Sequence, residues 1–249
     1  MKKNRGVWAL LLIIGMLVAC GTQDTYKDEY KDHQQTIFSD TLDEVPAYSG
    51  KPYVVLNNNE PYFTEKEMTT DSYEYYSELD EDGKCGVVVA SVGQDLMPTE
   101  ERESIGQVKP SGWQTVKYDN VDGKYLYNRC HLIGFQLTGE NANEKNLITG
   151  TRYMNVEGML PFENMVADYV KETGNHVVYR VTPIFEGDNL VASGVQMEAK
   201  SVEDQGEGIC FNVYVYNVQP GIEIDYATGY SQLATKNKTS KNMKGQEKN

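Results

Sequence analysis

The chain has 249 residues and a formal net charge of −14, with 23 Lys and Arg against 37 Asp and Glu. That balance argues against a protein that grips nucleic acid through a general basic surface. The length suits one large domain or two small ones.

Lys2, Lys3 and Arg5 precede an uncharged apolar run over residues 7–19. The run is shorter than the roughly 20 residues a spanning helix needs, so residues 1–19 read as a secretory signal. Its end, Leu17-Val18-Ala19-Cys20, resembles a bacterial lipobox. That resemblance implies cleavage before Cys20, lipid attachment to its thiol and an extracytoplasmic protein anchored to the bacterial cell membrane. Residues 20–45 are polar and poor in apolar side chains, which predicts a disordered tether. Residues 231–249 run out in Lys, Asn and Gly and predict a disordered tail. One well-buried domain is left for residues 46–230.

Within it, residues 52–56 predict a strand closed by Asn57-Asn58-Asn59. Residues 65–79 carry no firm pattern. A β-branched run at 85–92 predicts a buried strand, residues 97–102 a turn of helix, and 108–113 a loop. Two strands, 113–118 and 123–129, are expected to pair through the turn Asp119-Asn120-Val121-Asp122. Helical spacing follows over 149–159, with Pro161 opening a second helix that ends at Gly174. From there the period is two, and 177–185, 190–202 and 210–218 predict an antiparallel meander. The fold class is α+β, a central antiparallel sheet with short helices packed on it.

Polar chemistry concentrates in one stretch, Tyr125 to Phe135, which carries Arg129 and His131, one of only three histidines. On a strand, Cys130 and His131 point to opposite faces, which makes a cysteine–histidine nucleophile pair geometrically poor and places Cys130 in the core. Arg129 and His131 share a face. Asn146, Asn155 and Glu163 follow His131 by 15, 24 and 32 residues. One amide oxygen with water and phosphate oxygens is an adequate magnesium site. Plainer roles stand beside these: Glu163 as a helix-dipole partner, Arg152 and Arg180 as solvated charges, Asn146 as a turn residue, and Met154, Met159 and Met165 as core filler. His176 reads as structural. Cys85, Cys130 and Cys210 are an odd set with no assignable pairing and no zinc-site spacing.

The tetrad Asn128-Arg129-Cys130-His131 resembles the Asp-Arg-Gly-His motif of the DNA/RNA non-specific endonucleases, the ββα-metal nucleases. Residues 97–102, 108–113 and 179–183 are similar to exported nucleases of Gram-positive bacteria, and the resemblance spans about residues 46–230. It implies a ββα-metal motif and a metal-dependent endonuclease that cuts DNA, with RNA as a second substrate class, without sequence preference. In that scheme His131 is the general base. Asn155 holds Mg2+, with Mn2+ as an alternative. Arg129 and Arg152 contact phosphate, and Asn146 and Glu163 order the metal's water shell. No obligate protein partner is implied. The tetrad departs from the motif at Asn128, which lacks a carboxylate, and at Cys130, which adds a side chain where the motif has glycine. The upstream catalytic arginine of some members has no clear match; Lys117 lies in about the right region. A different reading is a non-catalytic surface lipoprotein that binds nucleic acid or another polymer.

Overall fold

The computed structural model describes residues 45–235. The expected signal, Cys20 and most of the expected tether and tail lie outside them. Among the described residues, no helix is long and apolar enough to cross a membrane.

The described residues form ten strands: β1 Tyr53–Val55, β2 Tyr73–Tyr76, β3 Val88–Val92, β4 Tyr127–His131, β5 Leu147–Thr151, β6 Val177–Ile184, β7 Gly194–Ser201, β8 Cys210–Tyr216, β9 Ile222–Ile224 and β10 Ser231–Leu233. Six of them make the main antiparallel sheet in the order β1-β8-β7-β6-β3-β2. The expected meander is its centre. Strand β1 ends in the Asn57–Asn59 turn, where all three asparagines have positive φ (44°, 51° and 71°), a region that asparagine tolerates better than most side chains. Strands β9 and β10 pair with each other, so the folded chain continues past the expected boundary at residue 230.

The two faces of the main sheet are both covered, and differently. One carries Val88, Ala90, Val181, Met197 and Val213 against Phe162, Val166 and Val170 of the long helix, with each of these side chains buried. Removing a Leu- or Val-sized side chain from water contributes about 1.5–3 kcal/mol, so this layer dominates the fold's stability. The other face is polar. Arg180, 1% exposed, donates to Glu198 Oε2 at 2.8 Å and Glu67 Oε1 at 2.9 Å. Its remaining reach goes to the Tyr62 carbonyl, and its guanidinium lies 4.7 Å from the Phe63 ring centroid. Gln196 bonds Asn212, and Asn212 bonds the Glu60 carbonyl. These bonds strap the segment that follows β1 onto the sheet. Arg180 is therefore a buried structural ion, not a solvated charge.

Strands β4 and β5 form a separate two-stranded ladder, with Tyr127 opposite Thr151 and His131 opposite Leu147. The expected hairpin forms but is short: residues 113–118 and 123–129 meet at the Lys117–Tyr125 bridge, with the Tyr118 amide donating to the Lys124 carbonyl and the Leu126 amide to the Val116 carbonyl. The ladder partner of β4 is instead a segment whose Thr149 to Thr151 portion had helical spacing. Every residue of β5 is buried, so it shows no alternation to distinguish it from helix. Residues 97–102 likewise form no helix; a turn at 94–96 precedes irregular chain. After α1, Phe135–Thr138, and β5, the chain enters a wide π turn, Met154–Met159, continuous with α2, Leu160–Thr173. Pro161 lies in the first turn of α2 as expected, and Gly174 caps it at φ 74°.

Candidate active site

The ladder β4–β5 and the helix after it bring the polar residues together. Asn217, fully buried, accepts from the Thr151 amide and donates to the Thr149 and Ala192 carbonyls, which fastens β5 to the main sheet. Thr151 Oγ accepts from the Met154 amide at 3.0 Å and starts the helix. The Leu160 amide then reaches back to the Asn155 carbonyl, a five-residue closure. Pro161 has no N–H to continue a regular ladder at this point, and single wide turns of this kind recur at functional sites. A cleft of about 590 Å³ opens between the ladder and the helix, lined by Arg102, Asn128, Arg129, His131, Arg152, Asn155 and Glu163 among others.

His131 is 6% exposed. Its Nε2 lies 2.7 Å from the Asn141 carbonyl and its Nδ1 3.3 Å from Arg102 Nη2. A carbonyl only accepts, so Nε2 carries the proton and the Nδ1 lone pair faces the guanidinium. Burial, offset in part by the Asn141 carbonyl and reinforced by the Arg102 charge, lowers the imidazole to about 4. His131 is therefore neutral at ordinary pH, the form a general base requires.

Arg102 is the cleft residue beside His131 that sequence reasoning missed. It lies in irregular chain 29 residues before His131, in a stretch read as helix, and no local pattern sets it apart from Glu100 and Glu101. Among the described residues it makes no ion pair. Lys117, the residue at about the expected position, stands over the Tyr125 ring instead. Arg129 does share the His131 face, but two of its N–H groups go to the Val108 and Gly106 carbonyls and its guanidinium stacks 4.0 Å from the Trp113 ring centroid. It anchors the 106–113 loop while keeping an edge on the cleft. Arg152 bonds Asp122 Oδ2 through Nε and Nη2 at 3.1 and 2.8 Å.

Asn155 lines the cleft, and its side-chain amide has no hydrogen-bond partner among the described residues. Glu163 lies on the same helix about two turns on, and its carboxyl fills the space beside Gly134, where a Cβ would come within 2.7 Å of Oε2. Burial pushes that carboxyl up to about 8, against the pull of Arg102. Asn128 Oδ1 is buried with no partner. Among the described residues no three His, Cys, Asp or Glu side chains gather to hold a metal. The donor set is a free amide oxygen, a nearby carboxyl and room for water, which fits a hard cation that keeps most of its waters and is a poor match for tetrahedral zinc.

One expected role is revised. Asn146 is fully buried and outside the cleft lining; its Oδ1 accepts from the Ile133 amide at 2.8 Å and its Nδ2 donates to the Ile133 carbonyl at 2.9 Å. With both ends of the amide committed, it fixes the turn after His131 and does not order a metal's water. Cys130 is core as expected, and burial raises its thiol far above the usual range. All three described cysteines are free.

A family model for the DNA/RNA non-specific endonucleases matches residues 64–203. Among solved structures, NucA from Streptococcus agalactiae with a magnesium ion bound superimposes with a TM-score of 0.68 at 25% identity, covering 78% of this chain and 92% of that one. The Sda1 nuclease with a bound zinc ion gives a TM-score of 0.54 at 28% identity over 66% and 82% of the two chains. A protein described as an extracellular endonuclease, 19% identical, shares the fold with a TM-score of 0.52 over 75% of this chain and 100% of that one.

Proposed function

The chain belongs to the DNA/RNA non-specific endonuclease family and is a phosphodiester hydrolase, and we propose that it performs this reaction with His131 as general base and a magnesium ion held by Asn155. The observation that carries the reading is the His131 tautomer: Nε2–H is spent on the Asn141 carbonyl, so Nδ1 alone is left to take a proton, and it points at Arg102 inside the cleft.

Nδ1 would accept a proton from the attacking water. Arg102 stands against that nitrogen, 3.3 Å away. A substrate phosphate is the stronger acceptor for a guanidinium, so its arrival would draw Arg102 away and release Nδ1 as Arg102 begins to neutralise the developing charge. Arg152, held by Asp122, and the open edge of Arg129 would position flanking phosphates. The cation, when bound, supplies Lewis-acid stabilisation of the phosphate and leaving oxygens. Asn155 would hold it through its amide oxygen, with Glu163 accepting hydrogen bonds from its waters. The magnesium ion in the NucA structure supports this choice of metal, while the zinc in Sda1 leaves other divalent ions in contention.

The protein acts outside the cytoplasm in this reading, on extracellular DNA and on RNA. The lipobox-like Cys20 would attach it to the membrane, in which case Cys20→Ala releases it to the medium. Digestion of plasmid and RNA with magnesium, and none in EDTA, is expected. His131→Ala should lower the rate by about a thousandfold, within the range for a lost general base. Full activity in that variant, or tight DNA binding without cleavage under any divalent ion, would overturn the assignment.

A further inference from the structure

The cleft extends beyond the residues that this mechanism uses. Odd-numbered positions on both arms of the chain leading into β4 face it: Trp113 and Thr115 on one, Tyr125, Tyr127, Arg129 and His131 on the other. Two of these are aromatic rings with a cation set against them. Lys117 Nζ lies 4.3 Å from the Tyr125 ring centroid, and the Arg129 guanidinium carbon 4.0 Å from that of Trp113. Tyr125 is 48% exposed, one of the most exposed large rings among the described residues. Tyr125 lines the cleft and Lys117 does not.

Resting on the nuclease reading, we propose that Tyr125, backed by Lys117, is a stacking subsite for an unpaired nucleobase flanking the cut, and that the preferred substrate is therefore single-stranded nucleic acid. Six residues of extended chain, at most about 20 Å, separate Tyr125 from His131. The ring thus takes the base of a neighbouring nucleotide, not of the one being cleaved. In a duplex the base faces are already stacked on each other, and an exposed ring has nothing to receive. In a single strand every base offers a face regardless of sequence, which agrees with cutting that ignores sequence. Lys117 and Arg129 beside the rings add attraction for the backbone that the chain's net charge of −14 does not provide. Stacking is indifferent to the sugar, so single-stranded DNA and RNA share this chemistry.

The test measures dissociation constants in EDTA for a single-stranded DNA 12-mer, the RNA of the same sequence and the DNA duplex. Tyr125→Ala should weaken single-strand binding about tenfold and change duplex binding less than twofold. Tyr125→Phe, which keeps the ring, should bind like the parent. An abasic nucleotide placed along the 12-mer should, at one position, cost the parent the same factor and make Tyr125→Ala silent. A loss confined to the DNA or the RNA arm would overturn the stacking account, because a ring that stacks on a base does not read the sugar. Equal losses on single strand and duplex, a Phe variant as weak as Ala, or no change in Tyr125→Ala would overturn it. Tyr125-dependent binding in a parent protein that never cleaves with magnesium would leave the subsite standing and sink the catalytic reading instead.

Discussion

The polar face of the main sheet and the cleft beside β4 use the same side chains, arginine, asparagine and glutamate, in opposite states. On the sheet, Arg180 meets two carboxylates and a carbonyl, and the amide of Asn212 is bonded in turn. In the cleft, Arg152 keeps Asp122, but among the described residues Arg102 makes no ion pair and Asn155 has no partner, and Asn128 Oδ1 is buried and bare. Saturated polar groups add order because every donor and acceptor is answered. Unanswered ones hold free energy that only a ligand of matching charge can recover.

Moving each pair of residues in turn sharpens that contrast. Arg180→Met should cost about 3–5 kcal/mol in urea unfolding, since it strips the buried Glu198 and Glu67 carboxylates of the guanidinium they share. The kcat of the folded fraction should change by less than about twofold. Arg102→Met should do the reverse, with stability within about 0.5 kcal/mol of the parent and a rate lower by about a hundredfold. It should also shift the pH profile. Arg102 helps to hold the His131 imidazole at about 4; without that charge the imidazole protonates more readily, and the acid limb of kcat/KM moves to higher pH. An unmoved limb would mean that burial alone sets the value.

Asn146→Ala joins the two halves of the comparison, because its saturated amide supports the catalytic turn. Removing it orphans the Ile133 amide and carbonyl, at about 2 kcal/mol, and a smaller displacement of His131 should slow cleavage about tenfold. A loss of stability alone would place the turn's geometry under other control. The smallest effect concerns Glu163. Its carboxyl sits at about 8 with no cation present, so at pH 7 most molecules must shed that proton as a cation binds. Magnesium affinity by calorimetry should strengthen between pH 7 and 9, by at most about tenfold per unit, and the slope should vanish in Glu163→Gln.

The elements that were legible in the residues are those whose surroundings leave a periodic mark. The β6 to β8 meander could be read because turn residues separate its strands, and His131 because a polar cluster interrupts an apolar run. Strand β5 could not, since burial on both faces erases alternation, and its Gly150 is a packing choice that depends on a neighbour. Arg102 was hidden for another reason. Its role arises from a loop folding back onto His131, and no short-range pattern encodes a contact across 29 residues. Asn146 shows a third kind of limit: the residue was found, but only the geometry distinguishes an amide facing water from one clasping a backbone.

That neighbour of Gly150 is Cys130. A Cβ at Gly150 would fall 2.3 Å from the Cys130 sulfur and 2.5 Å from the Met154 methyl. Cys130 itself has no positive φ, so the position where the related motif carries glycine makes no demand on backbone freedom. The constraint there is one of volume, shared between two strands: either residue can be the small one, provided the other fills the space. Gly150→Ala alone should strain the ladder, Cys130→Gly alone should leave a void, and the two together should suit each other better than either does singly. The tetrad's third letter is thus half of a two-residue code, and its other half is written 20 positions downstream.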